Sequence, residues 1–212
     1  DSGRGVARDI ADALYWMGGR QIDVAVVPSA ASGHGNGLGF LSDLVPVGKI
    51  VTAAGVLDRP TGRTAVYHSR RQGVPVLIAG HGDRIAGLRG ATAEAIASER
   101  MAVSDGGARW RTESLGLKLA TEEGSVLFLP GAARILCAGG SGEAGPVDLA
   151  VAERPGPASL PARWVIARSP AGNASLACTE RDGGVAVTWR PRSLEVVTFG
   201  SGRRAVCARG AS

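Results

Sequence analysis

Residues 23 to 38 read DVAVVPSAASGHGNGL, and this stretch decides the fold. A strongly apolar, valine-rich run, Val24 to Val27, breaks into a loop of small residues and glycines with one histidine, His34, inside it. A buried strand that opens into a glycine loop is how an α/β protein places chemistry at the carboxyl end of its sheet. The loop itself holds little chemistry, because Ser29, Ala31 and Gly33 bring no carboxylate, imidazole or thiolate.

Elements alternate outward from this point. Val6, Ile10, Leu14 and Met17 recur at spacings of four, four and three, which places them on one face of a helix ended by Gly18 and Gly19. Ile22 to Val27 follows as a strand, Leu38 to Leu44 as a short helix and Lys49 to Ala53 as a second strand. Pro60 opens a helix that stops at Gly73, and Val74 to Ala79 is a third strand. Alternation of this kind predicts a largely parallel sheet with helices packed on it. The second half is strand-rich. Leu115, Leu117 and Leu119 alternate, Glu122 to Ser125 turns and Val126 to Leu129 returns, a hairpin pattern. Val147 to Val151, Arg163 to Ala167, Val185 to Trp189, Leu194 to Thr198 and Arg203 to Ala208 are further strands. Ala138 to Pro146 and Pro155 to Pro161 are loops too short to link domains, so one domain over residues 1–212 is expected.

Composition bounds the function. The chain has 212 residues, 44% of them hydrophobic, enough for a sizeable core. No apolar run reaches the ~20 residues of a membrane-spanning helix, so a soluble domain is expected. The formal charge is +5, and all of the 24 basic residues except Lys49 and Lys118 are arginine. A polyanion partner suits that balance, and a GC-rich genome produces it equally well. Arg109-Trp110-Arg111 and Trp189-Arg190-Pro191-Arg192 interleave basic and aromatic side chains, which suits stacking of single-stranded bases beside phosphate contact. Strand alternation, with tryptophan inward and solvated arginine outward, is the competing reading.

Other motifs are negative. Cys137, Cys178 and Cys207 are odd in number and far apart, with neither zinc-ligand spacing nor a disulfide framework. Gly140-Ser141-Gly142 is no nucleophile elbow, and Gly48-Lys49-Ile50 is no phosphate loop. His34, His68 and His81 are scattered; Gly80-His81-Gly82-Asp83 is the only other cluster with the look of a site, and a turn between strands explains it equally.

The order of segments resembles the metallo-β-lactamase-like C-terminal domain of ComEC-type DNA-internalisation proteins. The residues that carry the likeness are DSG at Asp1 to Gly3, the helix ending in Gly-Gly, IDVAVV, the glycine loop, VPVGKIV, QGVPVLIAGHGD, ESLGLKLATEEGSVLFLPGA, VDLAVAERPG, RWVIARSPAGN and TERDGGVAVTW. The family loop T-H-x-D-x-D-H-x-G-G-L falls without a gap on Pro28 to Leu38. His34, Gly37 and Leu38 match it, while its first histidine falls on Ser29, its aspartates on Ala31 and Gly33, and a glycine on Asn36. The bridging aspartate of the family falls on Ala132, and a histidine pair on Glu153 and Arg154.

The resemblance implies an αββα sandwich that is catalytically degenerate. It implies no metal and no catalytic residue, with His34 and Glu153 left as a weak partial site. The implied role is accessory, a DNA-binding or scaffolding surface in a ComEC-like uptake protein of the bacterial inner membrane. Single-stranded DNA and the membrane-embedded channel of the parent protein are the implied partners; the side of the membrane and the oligomeric state stay open. One alternative is a retained phosphodiesterase or nuclease using zinc or manganese through His34, Glu153, His81 and Asp83. Another is a purely structural domain. Family domains place further strands before the D-[ST]-G motif, so Asp1 is expected to be an internal point of a longer protein whose first strands are lacking here.

Overall fold

The computed structural model describes residues 2–30, 35, 37–88, 90–104, 107–129, 147–152, 162–167, 175–178, 185–190, 193–198 and 204–208. The architecture is mixed α/β, as the sequence predicts. The chain divides into two compact units, Asp1–Arg89 with Glu94–Gly116, and Gly90–Ala93 with Leu117–Ser212.

The first unit holds the βα alternation. Helix α1 (Ser2–Trp16) leads to β1 (Ala25–Val27), α2 (Leu38–Leu44), β2 (Ile50–Thr52), α3 (Ala54–Leu57), α4 (Pro60–Arg71) and β3 (Val76–Ile78). The three strands form a parallel sheet in the order β1-β2-β3, with Val26 beside Val51 and Val51 beside Leu77. The central strand is buried along its whole length, Ile50 at 0%, Val51 at 1% and Thr52 at 0% exposure. Full burial of each such aliphatic side chain is worth about 1.5–3 kcal/mol, so β2 anchors the unit. Gly18 (φ +79°) and Gly73 (φ +81°) end α1 and α4 in the left-handed region that glycine enters without strain.

The face that α1 buries differs from the sequence expectation. Val6, Ile10 and Met17 are 49%, 42% and 67% exposed, whereas Ala7 (0%) and Ala11 (4%) pack with Leu41 and Val45 against α2. Two alanines let the α2 backbone approach closely, and the i, i+4 pair that meets it is Ala7 and Ala11 rather than the larger residues beside them. Leu14 and Ile22 close the cluster.

After β4 (Arg84–Ile85) the chain enters two long strands, β5 (Thr92–Ser104), absent from the sequence reading, and β6 (Gly107–Ala120), of which that reading held only the alternating end at Leu115, Leu117 and Leu119. The second unit continues with β7 (Ser125–Leu129), β8 (Val147–Ala152), β9 (Ala162–Ala167) and β10 (Ser175–Cys178), adjacent in that order after β6. The hairpin expected at β6–β7 is present, with Leu117 opposite Phe128 and Leu119 opposite Val126. Thr121 closes its turn by accepting from the Glu123 and Gly124 amides. A second, antiparallel sheet has the order β11-β12-β13, from β11 (Val185–Arg190), β12 (Ser193–Thr198) and β13 (Arg204–Ala208). Leu149 and Ile166 meet Leu194 and Val196 in one buried cluster, so the two sheets of this unit pack face to face.

Two glycine substitutions test this packing. A Cβ on Gly62, inside α4, would lie 1.9 Å from the Val56 carbonyl oxygen, whereas one on Gly5 in α1 meets nothing within 4 Å. Gly62→Ala is expected to destabilise the protein by about 1–3 kcal/mol, and Gly5→Ala to stabilise it by about 0.5–1 kcal/mol, as read by chemical denaturation.

Candidate functional site

In a parallel sheet flanked by helices, the loops at the carboxyl ends of the strands are where a site is built. In the first unit these loops follow Val27, Thr52 and Ile78. They are tied down by a chain of hydrogen bonds. The buried Thr52 hydroxyl donates to the Val27 carbonyl at 2.9 Å, crossing from β2 to β1 where the loop begins. The Leu115 amide donates to the Pro28 carbonyl at 2.7 Å, and the Thr61 hydroxyl, in the first turn of α4, donates to the Ala30 carbonyl at 2.8 Å. The loop therefore leaves β1 with the carbonyls of Val27, Pro28 and Ala30 all satisfied.

Ser29 sits half-buried within this anchored segment. Ala31, Gly33 and His34 lie outside the described residues, as do Ala132, Glu153 and Arg154. Beyond β3, the Gly80 amide donates to Asp83 Oδ2 at 2.8 Å, the Gly82 amide to the Ala95 carbonyl at 2.8 Å, and the Ala95 amide to the Asp83 carbonyl at 2.9 Å. Gly80 to Asp83 is thus a turn stitched to β5, with Gly82 at φ +81°. Asp83 spends one carboxylate oxygen on its own turn, and His81 is exposed at the tip. Among the described residues no three His, Cys, Asp or Glu side chains converge as metal ligands.

A cavity of about 510 Å³ opens between α2 and α4, lined by Gly35, Phe40 and Asp43 on one side and by Thr61, Thr64 and His68 on the other. Gly39 lets α2 cross close to α4, since a Cβ there would lie 2.9 Å from that of His68. Gln72 Nε2 donates to Asp43 Oδ1, and the Ser42 and Ser69 hydroxyls meet at 2.7 Å with Ser69 fully buried. Sequence reading passed over this place. Thr61, Thr64 and His68, at spacings of three and four behind a helix-opening proline, were the available signal; only the fold brings Phe40 and Asp43 opposite them.

The arginine and tryptophan segments fall in different units. Arg109, Trp110 and Arg111 lie on β6, and Trp189 and Arg190 lie on β11; Arg192 is outside the described residues. Trp189 packs half-buried against the Leu149–Leu194 cluster, and its indole nitrogen is buried without a hydrogen-bond partner. Arg163 lies over the Trp164 ring at 4.8 Å, an arginine–tryptophan pair that the sequence reading did not single out.

No protein-family model matches the chain, and no curated protein matches it significantly. Among solved structures it is similar to Zn(2+)-bound PqqB from Methylobacterium extorquens, at 14% identity and a TM-score of 0.43, over 62% of this chain and 45% of that one. It is also similar to CmlA, a diiron β-hydroxylase from Streptomyces venezuelae, at 15% identity and a TM-score of 0.41, over 70% of this chain and 35% of that one. The chain spans less than half the length of either. Likenesses at this level assign neither fold family nor chemistry.

The Thr52 bond is the tie whose loss is most specific to the site. Thr52→Val keeps shape and strand propensity but leaves the Val27 carbonyl without that donor in a buried setting. The expected cost is about 1–2 kcal/mol. Amide hydrogen exchange should quicken around Val27 to Ser29 in the variant and stay unchanged in the second unit.

Proposed function

We propose that the chain is a metallo-β-lactamase-like domain of ComEC type that has lost its metal ligands and serves single-stranded DNA handling as a binding or scaffolding surface. The observation that carries this reading is the loop after β1. It retains His34, Gly37 and Leu38 of the family pattern and has Ser29, Ala31 and Gly33 where that pattern has one histidine and two aspartates. A dinuclear hydrolase uses its ions to hold a hydroxide nucleophile and to polarise phosphate, and serine, alanine and glycine cannot replace those donors. Ala132 removes a bridging carboxylate by the same correspondence, and Arg154 puts a guanidinium where a cation would stand.

The DNA partner is supported by the net charge of +5 and by the Arg109-Trp110-Arg111 run. With Trp189 packed against a core, Trp110 carries the stacking half of the proposal. No helix among the described residues is long and apolar enough to cross a membrane, so attachment to an inner-membrane channel would be made by other parts of a parent protein.

Two measurements test the reading. Elemental analysis of the purified chain is expected to find no stoichiometric zinc or manganese, and phosphodiester substrates should turn over at background. Tightly held metal, or Mn²⁺-dependent turnover abolished by His34→Ala, would replace this proposal with the hydrolase.

Titration with labelled single-stranded DNA is expected to show weak, salt-sensitive binding with little sequence preference. Replacing Arg109 and Arg111 with alanine should lower affinity and flatten the salt dependence, because fewer counterions are released. Trp110→Ala should cost about 1–3 kcal/mol per stacked base at an unchanged salt slope. Binding indifferent to all three changes would leave a purely structural domain.

A further inference from the structure

Helix α1 carries two apolar faces, and the fold uses one. Ala7 and Ala11 turn toward α2, while Val6, Ile10, Ala13 and Met17 recur at spacings of four, three and four. At about 100° per residue these four lie within a narrow arc and form a straight seam. The Met17 amide still bonds to the Ala13 carbonyl at 3.1 Å, so the seam runs unbroken past the last helical residue. Val6, Ile10 and Met17 are 49%, 42% and 67% exposed, and Ala13 is exposed beside them. A single exposed aliphatic residue carries no information, but a heptad-spaced line of them is the pattern by which one helix receives the knobs of another.

The charges beside the seam say what kind of helix fits. Asp9 and Asp12 follow its outward border, both exposed, and among the described residues neither has an ion pair. The helix's two arginines, Arg4 and Arg8, fall on the opposite side, where the Arg4 guanidinium lies 5.0 Å over the Phe40 ring. Of the charged residues of α1, those beside the seam are therefore both negative. A second copy of α1 would bring its own Asp9 and Asp12 to the same border, and an anionic lipid surface would be repelled. A helix with leucine-type residues along one stripe and Lys or Arg beside them would satisfy both the apolar line and the carboxylates.

We propose that this face of α1 is a docking surface for a basic amphipathic helix of a partner protein. The probe is a labelled helical peptide about three heptads long, with Leu at the seam positions and Lys at the flanking ones; its control has Glu at the flanks. Fluorescence anisotropy with the full chain should show the Lys peptide binding about tenfold or more tighter than the Glu peptide. Ile10→Glu should abolish that binding with circular dichroism and thermal unfolding unchanged, since Ile10 lies outside the buried cluster. The double change Asp9→Lys and Asp12→Lys should invert the peptide preference. Equal binding of the two peptides, binding insensitive to Ile10→Glu, or no binding would overturn the proposal. A homodimer in sedimentation that Ile10→Glu dissociates would also overturn it, because the seam would then belong to a second copy.

Discussion

Burial of β2 is the constraint on which the first unit depends. Ile50, Val51 and Thr52 are hydrogen-bonded to strands on both sides and shielded on both faces, so nothing in the strand is left to negotiate with water. A polar side chain is tolerated there only because the Thr52 hydroxyl finds the Val27 carbonyl. That one bond ties the end of β2 to the start of the loop in which a site would be built, so core stability and loop position are coupled. The hydrogen bonds of Pro28 and Ala30 extend the tie to β6 and to the first turn of α4.

The second unit solves the same problem differently. It holds no helix among its described residues, and its two sheets bury one another through Leu149, Ile166, Leu194 and Val196. Trp189 shows the cost of this solution. Its ring adds apolar area to the core, and its indole N–H is withdrawn from water without an acceptor, a penalty of about 1–3 kcal/mol that the packing must exceed. A tryptophan held in this way serves the fold before it can serve a ligand.

Function in such a chain has to be argued from what the loops can do. The anchored loop after β1 and the stitched turn at Gly80 to Asp83 have the position of an active site, with little of the required chemistry among the described residues. The surfaces offer more: an arginine-rich exterior, a cavity between α2 and α4, and an apolar seam on α1 bordered by carboxylates. On these surfaces rests the proposal of a binding or scaffolding role ahead of a catalytic one.

Sequence alone determined the order of most elements, but not α3, β4, β5 or β10. β-branched runs bounded by glycine and proline placed β1, β2, β3, β8 and β12 to within a few residues, and α2 matched residue for residue, because local periodicity and breaker residues act over short spans of chain. Three things were decided only by tertiary structure. Strand β5 and the first part of β6 carry mixed, weakly periodic sequences and are strands because neighbours pair with them. The buried face of α1 is that of its alanines, because close approach of α2 selects small side chains over larger ones. Trp189 faces a core because the pairing register of β11 with β12 fixes the side to which it points, and a shift of one residue would have turned it outward.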